Sequence, residues 1–344
     1  MSAAMAEIPR KIDLSAALAR IEPARNIVIT THARADGDAI GSVAGLQRLL
    51  RRSGKAANGY LHEPISERYR FMGEIEPLKV WPADAASVIN RADLFVVVDT
   101  CAAAQLDRLA PPVREAKVLR LAIDHHITRD AIVDEVFSDE SAAAASLILL
   151  ELAGAAGWPL DPGAATLLYT GLATDTGWFR FSNADARAYA AAAKLVGAGA
   201  KPNELYERIY LSEPPARARL MGAVLSSFEL LANGRLAVIK LTRAMLAACG
   251  ATPAMTEDLI NEPQRVASVV AAVMFVEGEP GSPVRVNFRS KRDIDVAAIA
   301  ASFGGGGHAR AAGAKVAGSF EEVASRVTNA LLEQARIVPG AGPL

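Results

Sequence analysis

Runs of hydrophobic residues alternate with helical patterns through the first half of the chain. Three runs rich in branched side chains end in polar residues: NIVITTH at 26–32, DLFVVVDT at 93–100 and VLRLAIDHH at 118–126. Between and after these runs, apolar residues recur at helical spacing over 38–54, 141–152 and 162–173. Near-continuous hydrophobic strands are typical of parallel sheets, because both faces of such a sheet are covered. The pattern predicts an α/β fold with a doubly wound, mainly parallel sheet and helices on both faces.

The alternation weakens in the second half, which predicts a smaller α/β domain. The predicted elements are helices over 185–196, 219–231 and 320–336, and strands near 235–241, 267–276 and 284–289. Residues 201–219 contain Pro202 and the pair Pro214-Pro215, which favours a partly helical linker. We therefore predict a first domain over residues 1–200, a linker over 201–218 and a second domain over 219–344, with a cleft between the domains.

Composition narrows the class of protein without naming it. The chain has 344 residues, of which 51% are hydrophobic, so a sizeable core is available for two domains. The formal net charge of −1 argues against a partner as large as long duplex nucleic acid, which requires a surplus of cations. The start of the chain lacks a signal peptide core, and the longest apolar run, near 266–276, is shorter than a bilayer requires. We expect a cytoplasmic protein that binds no membrane.

The segment THARADGDAIGS at 31–42 carries three side chains that can bind a metal. His32, Asp36 and Asp38 follow a buried strand and precede a helix, where open α/β sheets bind their ligands. Carboxylates suit hard divalent cations, and an added imidazole shifts the preference towards transition metals. Turn formation and helix capping are the alternative interpretation, because Asp-Gly pairs and capping aspartates are common in loops.

Three further segments place Asp or His at comparable positions. Asp99 ends the second hydrophobic run, Asp124, His125 and His126 end the third, and Asp175 follows the helix predicted over 162–173. Each residue alone could be a cap or a solvated loop charge. Together they predict a shared site, because the ends of parallel strands meet at one edge of a sheet, and two metals need a bridging carboxylate and several terminal ligands.

The ordered set of segments resembles the DHH phosphoesterase family. The motif that gives the family its name is here Asp124-His125-His126, and the other motifs look like HARADGD at 32–38, VDT at 98–100 and TDTG at 174–177. The C-terminal half is similar to the associated DHHA1 domain, with FRS at 288–290, FGGGGH at 303–308 and AAG at 311–313. The chain is most similar to the standalone NrnA-like members, which act as bifunctional oligoribonucleases and pAp phosphatases.

The resemblance implies a centre of two Mn²⁺ ions, with Mg²⁺ or Co²⁺ as substitutes. One ion would be held by His32, Asp36 and Asp99. The second would be held by Asp38, Asp99, His125 and Asp175, so that Asp99 bridges the ions. His126 would support these ligands or contact the scissile phosphate, and Asp124 belongs to the same catalytic motif.

The resemblance places the remainder of the substrate on the second domain. Arg289 offers a planar fork for phosphate, with Ser290 beside it. The N–H groups of the glycine run at 304–307, including Gly305, Gly306 and Gly307, could approach an anion closely, and His308 could stack on a base or bind a phosphate. A flexible loop is the alternative interpretation of the four glycines.

These residues imply hydrolysis of short oligoribonucleotides (nanoRNA, dinucleotides such as pApA) to mononucleotides, and of pAp to AMP. Three alternatives stay open at this point: a cyclic dinucleotide phosphodiesterase, a manganese pyrophosphatase or exopolyphosphatase, and a nucleotide-binding module without catalysis. The sequence is compatible with a homodimer and does not distinguish Mn²⁺ from Mg²⁺.

Overall fold

A computed structural model describes residues 8–256, 258–291 and 294–337. The chain divides into two compact units, residues 1–212 and 213–344. The division lies within the segment 201–218, which the sequence predicts to be a linker. Among the described residues, no helix has both the length and the hydropathy that crossing a membrane requires.

The first unit contains a parallel sheet of seven described strands. They are β1 Arg10–Ile12, β2 Asn26–Thr30, β3 Ala56–Leu61, β4 Lys79–Val80, β5 Leu94–Val98, β6 Leu119–Asp124 and β7 Glu135–Ser138. Their order across the sheet is β1-β7-β6-β5-β2-β3-β4. The chain runs outward from β2 through β3 to β4, and then returns to build the other half from β5 to β7. The predicted doubly wound architecture is confirmed, and its reversal point lies between β2 and β5.

Helices cover both faces of this sheet. They are α1 Leu14–Ile21, α2 Gly37–Arg52, α3 Arg70–Ile75, α4 Ala85–Ile89, α5 Ala103–Leu106, α6 Ala110–Glu115, α7 Ala145–Ala156, α8 Pro162–Asp175, α9 Ala186–Gly197 and α10 Pro202–Tyr210. Side chains alternate along each strand, so Val96 packs into one hydrophobic core while Phe95 and Val97 pack into the other. The hydrophobic strands of the sequence are therefore buried on both sides.

Helices α7 and α8 have boundaries that differ from the sequence prediction. Helix α7 begins at Ala145 rather than at 141, because Ser141 forms a turn in which its N–H and hydroxyl donate to Asp139 Oδ1. Helix α8 continues to Asp175, so this aspartate is the last helical residue and does not follow the helix.

Glycines allow α2 and α8 to approach each other closely. A Cβ atom on Gly41 would lie 2.6 Å from the main-chain oxygen of Leu167, and one on Gly37 would lie 2.3 Å from Thr174 Oγ1. Real side chains do not tolerate such distances, so only glycine fits at these positions. The close contact brings the start of α2, with Asp36 and Asp38, next to the end of α8, where Asp175 lies.

The second unit is a mixed sheet with helices. Its strands are β8 Glu229–Leu231, β9 Leu236–Leu241, β10 Ala271–Val276, β11 Val284–Ser290, β12 Gly306–His308 and β13 Ala311–Val316, in the order β12-β13-β11-β10-β9-β8. Its helices are α11 Pro215–Ser227, α12 Arg243–Cys249, α13 Val296–Ser302 and α14 Phe320–Ile337. The helix predicted over 219–231 begins and ends four residues earlier than expected, because residues 229–231 pair with β9 instead. The predicted smaller α/β domain is otherwise present.

Candidate metal centre

Asp99 lies at the middle of the site and faces two histidines with its two oxygens. Its Oδ2 is 3.6 Å from His32 Nε2, and its Oδ1 is 3.3 Å from His125 Nε2. The side chain is almost fully buried, and its backbone has a φ of 62°. A non-glycine residue in this region costs on the order of 1–3 kcal/mol, and such strain is concentrated at functional sites. The turn after β5 therefore directs this carboxylate between the ends of β2 and β6.

Three groups of Asp and His side chains could each hold a metal ion, because one ligand atom from each member lies within 4.8 Å of the others. The groups are His32, Asp36 and Asp99; Asp38, His125 and Asp175; and Asp99, His125 and His126. The first two contain all six residues that the resemblance assigns to two metals. Asp99 belongs to the first and third groups, and the third group shares His125 with the second.

The main chain fixes the orientation of His125. Its Nδ1 lies 3.2 Å from the carbonyl oxygen of Ala142, which is an acceptor, so Nδ1 carries the proton. In the neutral ring Nε2 then presents a lone pair, and Nε2 is the nitrogen that faces Asp99 and Asp175. A histidine whose second nitrogen donates to a carbonyl is typical of metal ligands in proteins.

Asp124 holds the two histidines of its motif in place. Its Oδ1 accepts hydrogen bonds from the main-chain N–H of His125 at 2.8 Å and of His126 at 3.2 Å, and lies 2.8 Å from His126 Nδ1. Asp124 itself has no solvent exposure. It therefore shapes the site by orienting its neighbours.

Asp38 connects the site to α7 as well as to α2. Its Oδ2 accepts from Ala145 N at 2.7 Å, and its Oδ1 accepts from Ser146 N at 3.1 Å and from Ser42 Oγ at 3.2 Å. These N–H groups belong to the first turn of α7, where the partial positive charge of a helix favours an anion. Each carboxylate oxygen has two lone pairs, so these contacts leave capacity for a metal.

The ionisable side chains of the site shift one another's pKa values. Burial alone would lower the pKa of His125, but the neighbouring carboxylates of Asp99 and Asp38 raise that pKa to about 10. Burial and the charge of Asp99 raise the pKa of Asp38 to about 6. Burial also raises the pKa of Asp175, and the charge of Asp38 raises it further. Clustered carboxylates that repel one another attract cations, and the oxygen and imidazole donors suit divalent transition metals.

In the second unit, Arg289 and Ser290 lie at the end of β11. Arg289 is partly buried, and its Nε donates to Asn261 Oδ1 at 3.2 Å. Burial lowers the pKa of Arg289, although the charge of Asp258 opposes this effect. The hydroxyl of Ser290 donates to the carbonyl of Ile294 at 2.6 Å. This hydrogen bond fixes the main chain at Ile294 next to the end of β11.

The glycine run forms a turn and a short strand. The N–H groups of Gly304 and Gly305 donate to the carbonyls of Ala301 and Ala300, which ends α13. This differs from the expectation that all four glycines could offer N–H groups to an anion. Gly306 pairs with Gly313, Gly307 has a φ of 142°, and a Cβ on Gly305 would lie 2.2 Å from the oxygen of Gly313. The side chain of His308 lies outside the described part of the structure, and its main chain pairs with Ala311.

Comparisons with known proteins agree with this arrangement. The model of the DHH family N-terminal domain matches residues 26–172, and that of the DHHA1 domain matches residues 240–335. The bifunctional oligoribonuclease and PAP phosphatase NrnA of Thermus thermophilus is 32% identical to this chain, and the match covers 90% of each protein. The chain belongs to the DHH family.

Two further proteins are similar to this DHH protein over most of its length. NrnA of Bacillus subtilis is 29% identical, over 84% of this chain and 89% of that protein. The crystal structure of an exopolyphosphatase-related protein from Bacteroides fragilis is 26% identical, with a TM-score of 0.87, and covers 93% of this chain and 95% of that one.

Family membership and the site together define the class of reaction. The protein is a metal-dependent phosphoesterase, because DHH phosphoesterases require divalent metal ions and this chain retains Asp and His groups that could bind them. The resemblance drawn from the sequence is thereby confirmed.

The sequence did not reveal several residues that shape the site. Ala142 contributes only a main-chain carbonyl, and Ala145 and Ser146 contribute only N–H groups, so no side-chain pattern points to them. The close contact between α2 and α8 did leave a signal. Gly37, Gly41 and Gly45 recur every four residues, which places them on one face of a helix.

Proposed function

We propose that this chain is a Mn²⁺-dependent phosphoesterase that hydrolyses short oligoribonucleotides to mononucleotides and converts pAp to AMP. The observation that carries the proposal is Asp99, whose two oxygens face the histidines of two different potential metal groups. The names of the Thermus thermophilus and Bacillus subtilis relatives support this choice of substrates. RNA fragments and free nucleotides are cytoplasmic molecules, so we place the enzyme there.

His32, Asp36 and Asp99 would hold the first ion, and Asp38, Asp99, His125 and Asp175 would hold the second. When bound, the pair of ions would activate a water for in-line attack and neutralise charge on the phosphoryl oxygens. The role of the protein would be to hold these ligands in place before the substrate binds. The Ala142 carbonyl keeps Nε2 of His125 directed into the site, and the first turn of α7 holds Asp38.

His126 is the proposed contact to the scissile phosphate. Asp124 accepts from its Nδ1, stabilises the charged ring and raises its pKa, although burial opposes this effect. A protonated imidazole can donate to a phosphoryl oxygen and can stabilise the charge that develops in the transition state.

The second domain would bind the remainder of the substrate. The guanidinium of Arg289 suits a terminal phosphate. Ser290, whose hydroxyl donates to the Ile294 carbonyl, would hold the end of β11 that carries Arg289. Gly305, Gly306 and Gly307 would provide a surface without side chains, and His308 would contact a base or phosphate. We propose residues 201–218 as the linker between the domains, 1–200 as the metal-binding domain and 219–344 as the substrate-binding domain.

A substrate panel tests this function. Purified protein with Mn²⁺ is incubated with pApA, pAp, RNAs of increasing length, a cyclic dinucleotide and inorganic pyrophosphate, and products are separated by anion-exchange chromatography. We expect mononucleotides from pApA, AMP from pAp, and rates that fall as the RNA lengthens. The variant Asp99→Asn serves as the background control.

Each other outcome points to a different conclusion. Faster turnover of the cyclic dinucleotide than of pApA would assign the enzyme to signalling nucleotides. Phosphate release from pyrophosphate far above that from pAp would favour a pyrophosphatase. Absence of hydrolysis of every compound in the panel would contradict the proposal.

A further inference from the structure

The turn between α8 and α9 carries two exposed side chains that the proposed metal groups do not use. This α8–α9 turn covers residues 176–183 and begins directly after Asp175. Arg180 and Phe181 are both exposed, and the exposed fraction of Phe181 is 56%. Phenylalanine is among the residue types most often buried, so an exposed ring this close to a proposed metal ligand calls for an explanation.

The main chain of the α8–α9 turn is strained. Gly177, Trp178 and Phe179 have φ values of 56°, 59° and 61°, so three consecutive residues are left-handed. For residues other than glycine this conformation brings Cβ close to the following carbonyl oxygen, and it normally occurs at single positions. Such strain persists where the surrounding contacts hold it, most often at functional sites.

Aromatic packing holds two of the strained residues. The ring centroid of Trp178 lies 5.3 Å from that of Tyr206, in an edge-to-face arrangement, and that of Phe179 lies 5.3 Å from that of Tyr189. Aromatic pairs are favourable at these distances. Trp178 and Phe179 are therefore engaged in packing, whereas the ring of Phe181 has no ring partner in the part of the chain that the structure describes.

Both exposed side chains lie against Gly177. Arg180 Nε donates to the Gly177 carbonyl at 2.6 Å, and the other guanidinium nitrogens have no hydrogen-bond or ion-pair partner among the described residues. The tip of the Phe181 ring covers Gly177, because a Cβ atom added to this glycine would overlap three atoms of the ring. Since both groups contact one residue, they lie within the length of one nucleotide of each other.

Asn183 ties the end of the turn to two parts of the site. Its Nδ2 donates to the carbonyl of Asp175 at 3.3 Å and to that of Ala143 at 3.1 Å. Ala143 follows Ala142, whose carbonyl faces Nδ1 of His125. The turn is thus joined at both ends to residues that supply or orient the proposed ligands, which places its exposed side chains at the edge of the metal centre.

We propose that the α8–α9 turn is a nucleotide subsite of the first unit, in which Phe181 stacks on a base and Arg180 binds a phosphate of the same nucleotide. An aromatic ring stacks on any base, and a guanidinium matches the geometry of phosphate. A dinucleotide carries two bases, and the residues proposed in the second domain account for one of them. This inference rests on the proposed function, because it assigns the second nucleotide of the same substrate.

Two probes separate the contact with the base from the contact with the phosphate. AMP and ribose 5-phosphate share the sugar and the phosphate, and only AMP carries a base. Isothermal titration of the Mn²⁺-loaded protein gives a dissociation constant for each probe. We expect the wild type to bind AMP more tightly than ribose 5-phosphate by about 5–150-fold, which is the factor that stacking of one base contributes.

Three substitutions test the two contacts. Phe181→Leu keeps an apolar cover on Gly177 and removes the aromatic ring, so AMP affinity should fall by about 5–150-fold while ribose 5-phosphate affinity stays unchanged. Phe181→Tyr keeps the ring and should retain the preference for AMP. Arg180→Gln keeps a donor for the Gly177 carbonyl and removes the charge. It should weaken both probes by about 10-fold or more, because both carry the phosphate.

Tyr189→Leu is the matched control. Tyr189 is 55% exposed, almost the same fraction as Phe181, and its ring packs on Phe179 within the same turn. The substitution removes an exposed ring and some packing of the turn, but it leaves both proposed contacts in place. We expect the affinities for AMP and for ribose 5-phosphate to equal those of the wild type.

Four results would overturn the inference. They are equal wild-type affinities for AMP and ribose 5-phosphate, a preference for AMP that survives in Phe181→Leu, wild-type affinities in Arg180→Gln, and a loss of AMP affinity in Tyr189→Leu as large as that in Phe181→Leu. The wild-type comparison decides the question even if a variant does not fold. Failure of the proposed function is separately visible. A wild type that prefers AMP through Phe181 but leaves pApA and pAp intact would contradict the reaction and not the subsite.

Discussion

Asp99 Oδ1 lies 3.3 Å from His125 Nε2, while the other oxygen of the same carboxylate faces His32. The contact joins the ends of β5 and β6, two neighbouring strands, and the His32 contact joins β5 to β2 across the reversal point of the sheet. Burial alone would raise the pKa of Asp99, but the neighbouring imidazoles of His125 and His32 lower it. The carboxylate is thus held as an anion between two imidazoles.

The substitution Asp99→Asn should disrupt the metal centre. An amide nitrogen cannot ligate a cation, so at least one of the two ions would lose its bridging oxygen. We expect the Mn²⁺ stoichiometry measured by titration to fall below two per chain, and hydrolysis of pApA to fall by more than about 100-fold. The same replacement at Asp185 provides the control, because this residue caps α9 and asparagine is an equally good cap. Two bound Mn²⁺ ions in Asp99→Asn would contradict the bridging role.

Bound metal should also stabilise the folded protein. A ligand that binds only the folded state at 100 times its dissociation constant adds about 2.7 kcal/mol. We expect Mn²⁺ to raise the melting temperature of the wild type and EDTA to reverse the rise. The Asp99→Asn variant should respond much less. An equal shift in both proteins would place the bound Mn²⁺ at another site.

The variant Gly41→Ala tests the close contact between α2 and α8. The added methyl group would lie 2.6 Å from the Leu167 oxygen, so the helices must separate. Overpacking of this kind costs about 1–3 kcal/mol, and here it should also weaken Mn²⁺ binding, because the two helices carry Asp38 and Asp175. Denaturant unfolding and Mn²⁺ titration measure the two effects.

Gly222→Ala is the matched control for that variant. Gly222 lies within α11, and a Cβ there would meet no atom within 4 Å. Alanine should stabilise this helix by roughly 0.5–1 kcal/mol and leave metal binding unchanged. Equal behaviour of the two variants would show that the contact between α2 and α8 has no role in the site.

The sequence was sufficient to predict the architecture and the cluster of Asp and His side chains, and insufficient to predict the main-chain contacts that hold this cluster. His32, Asp99 and His125 could be predicted because each follows a hydrophobic strand, and the ends of parallel strands meet. The later start of α7 could not be predicted, because it depends on a turn at Asp139 and on a contact with Asp38, which is more than a hundred residues away in the sequence. Strand β3 was also missed, since AANGYL contains few residues that favour strands.

Stability at acidic pH should depend on Asp161. Its carboxylate caps α8 and pairs with Arg48 and Arg52, at 2.8 and 2.9 Å, and the Arg48 hydrogen bond lowers its pKa despite opposing burial. A depressed pKa stabilises the fold at pH values above the unfolded-state pKa of about 3.9, and this contribution is lost as pH falls through the lower folded-state value. The substitution Asp161→Asn keeps the cap of α8 and removes the charge.

We expect the Asp161→Asn variant to be less stable than the wild type by about 1–2 kcal/mol at pH 7, measured by urea unfolding of the metal-free protein. The difference from wild type should shrink below pH 4, whereas Asp185→Asn should show a small difference throughout. A gap that stays constant between pH 7 and pH 3 would mean that the Asp161 charge contributes nothing.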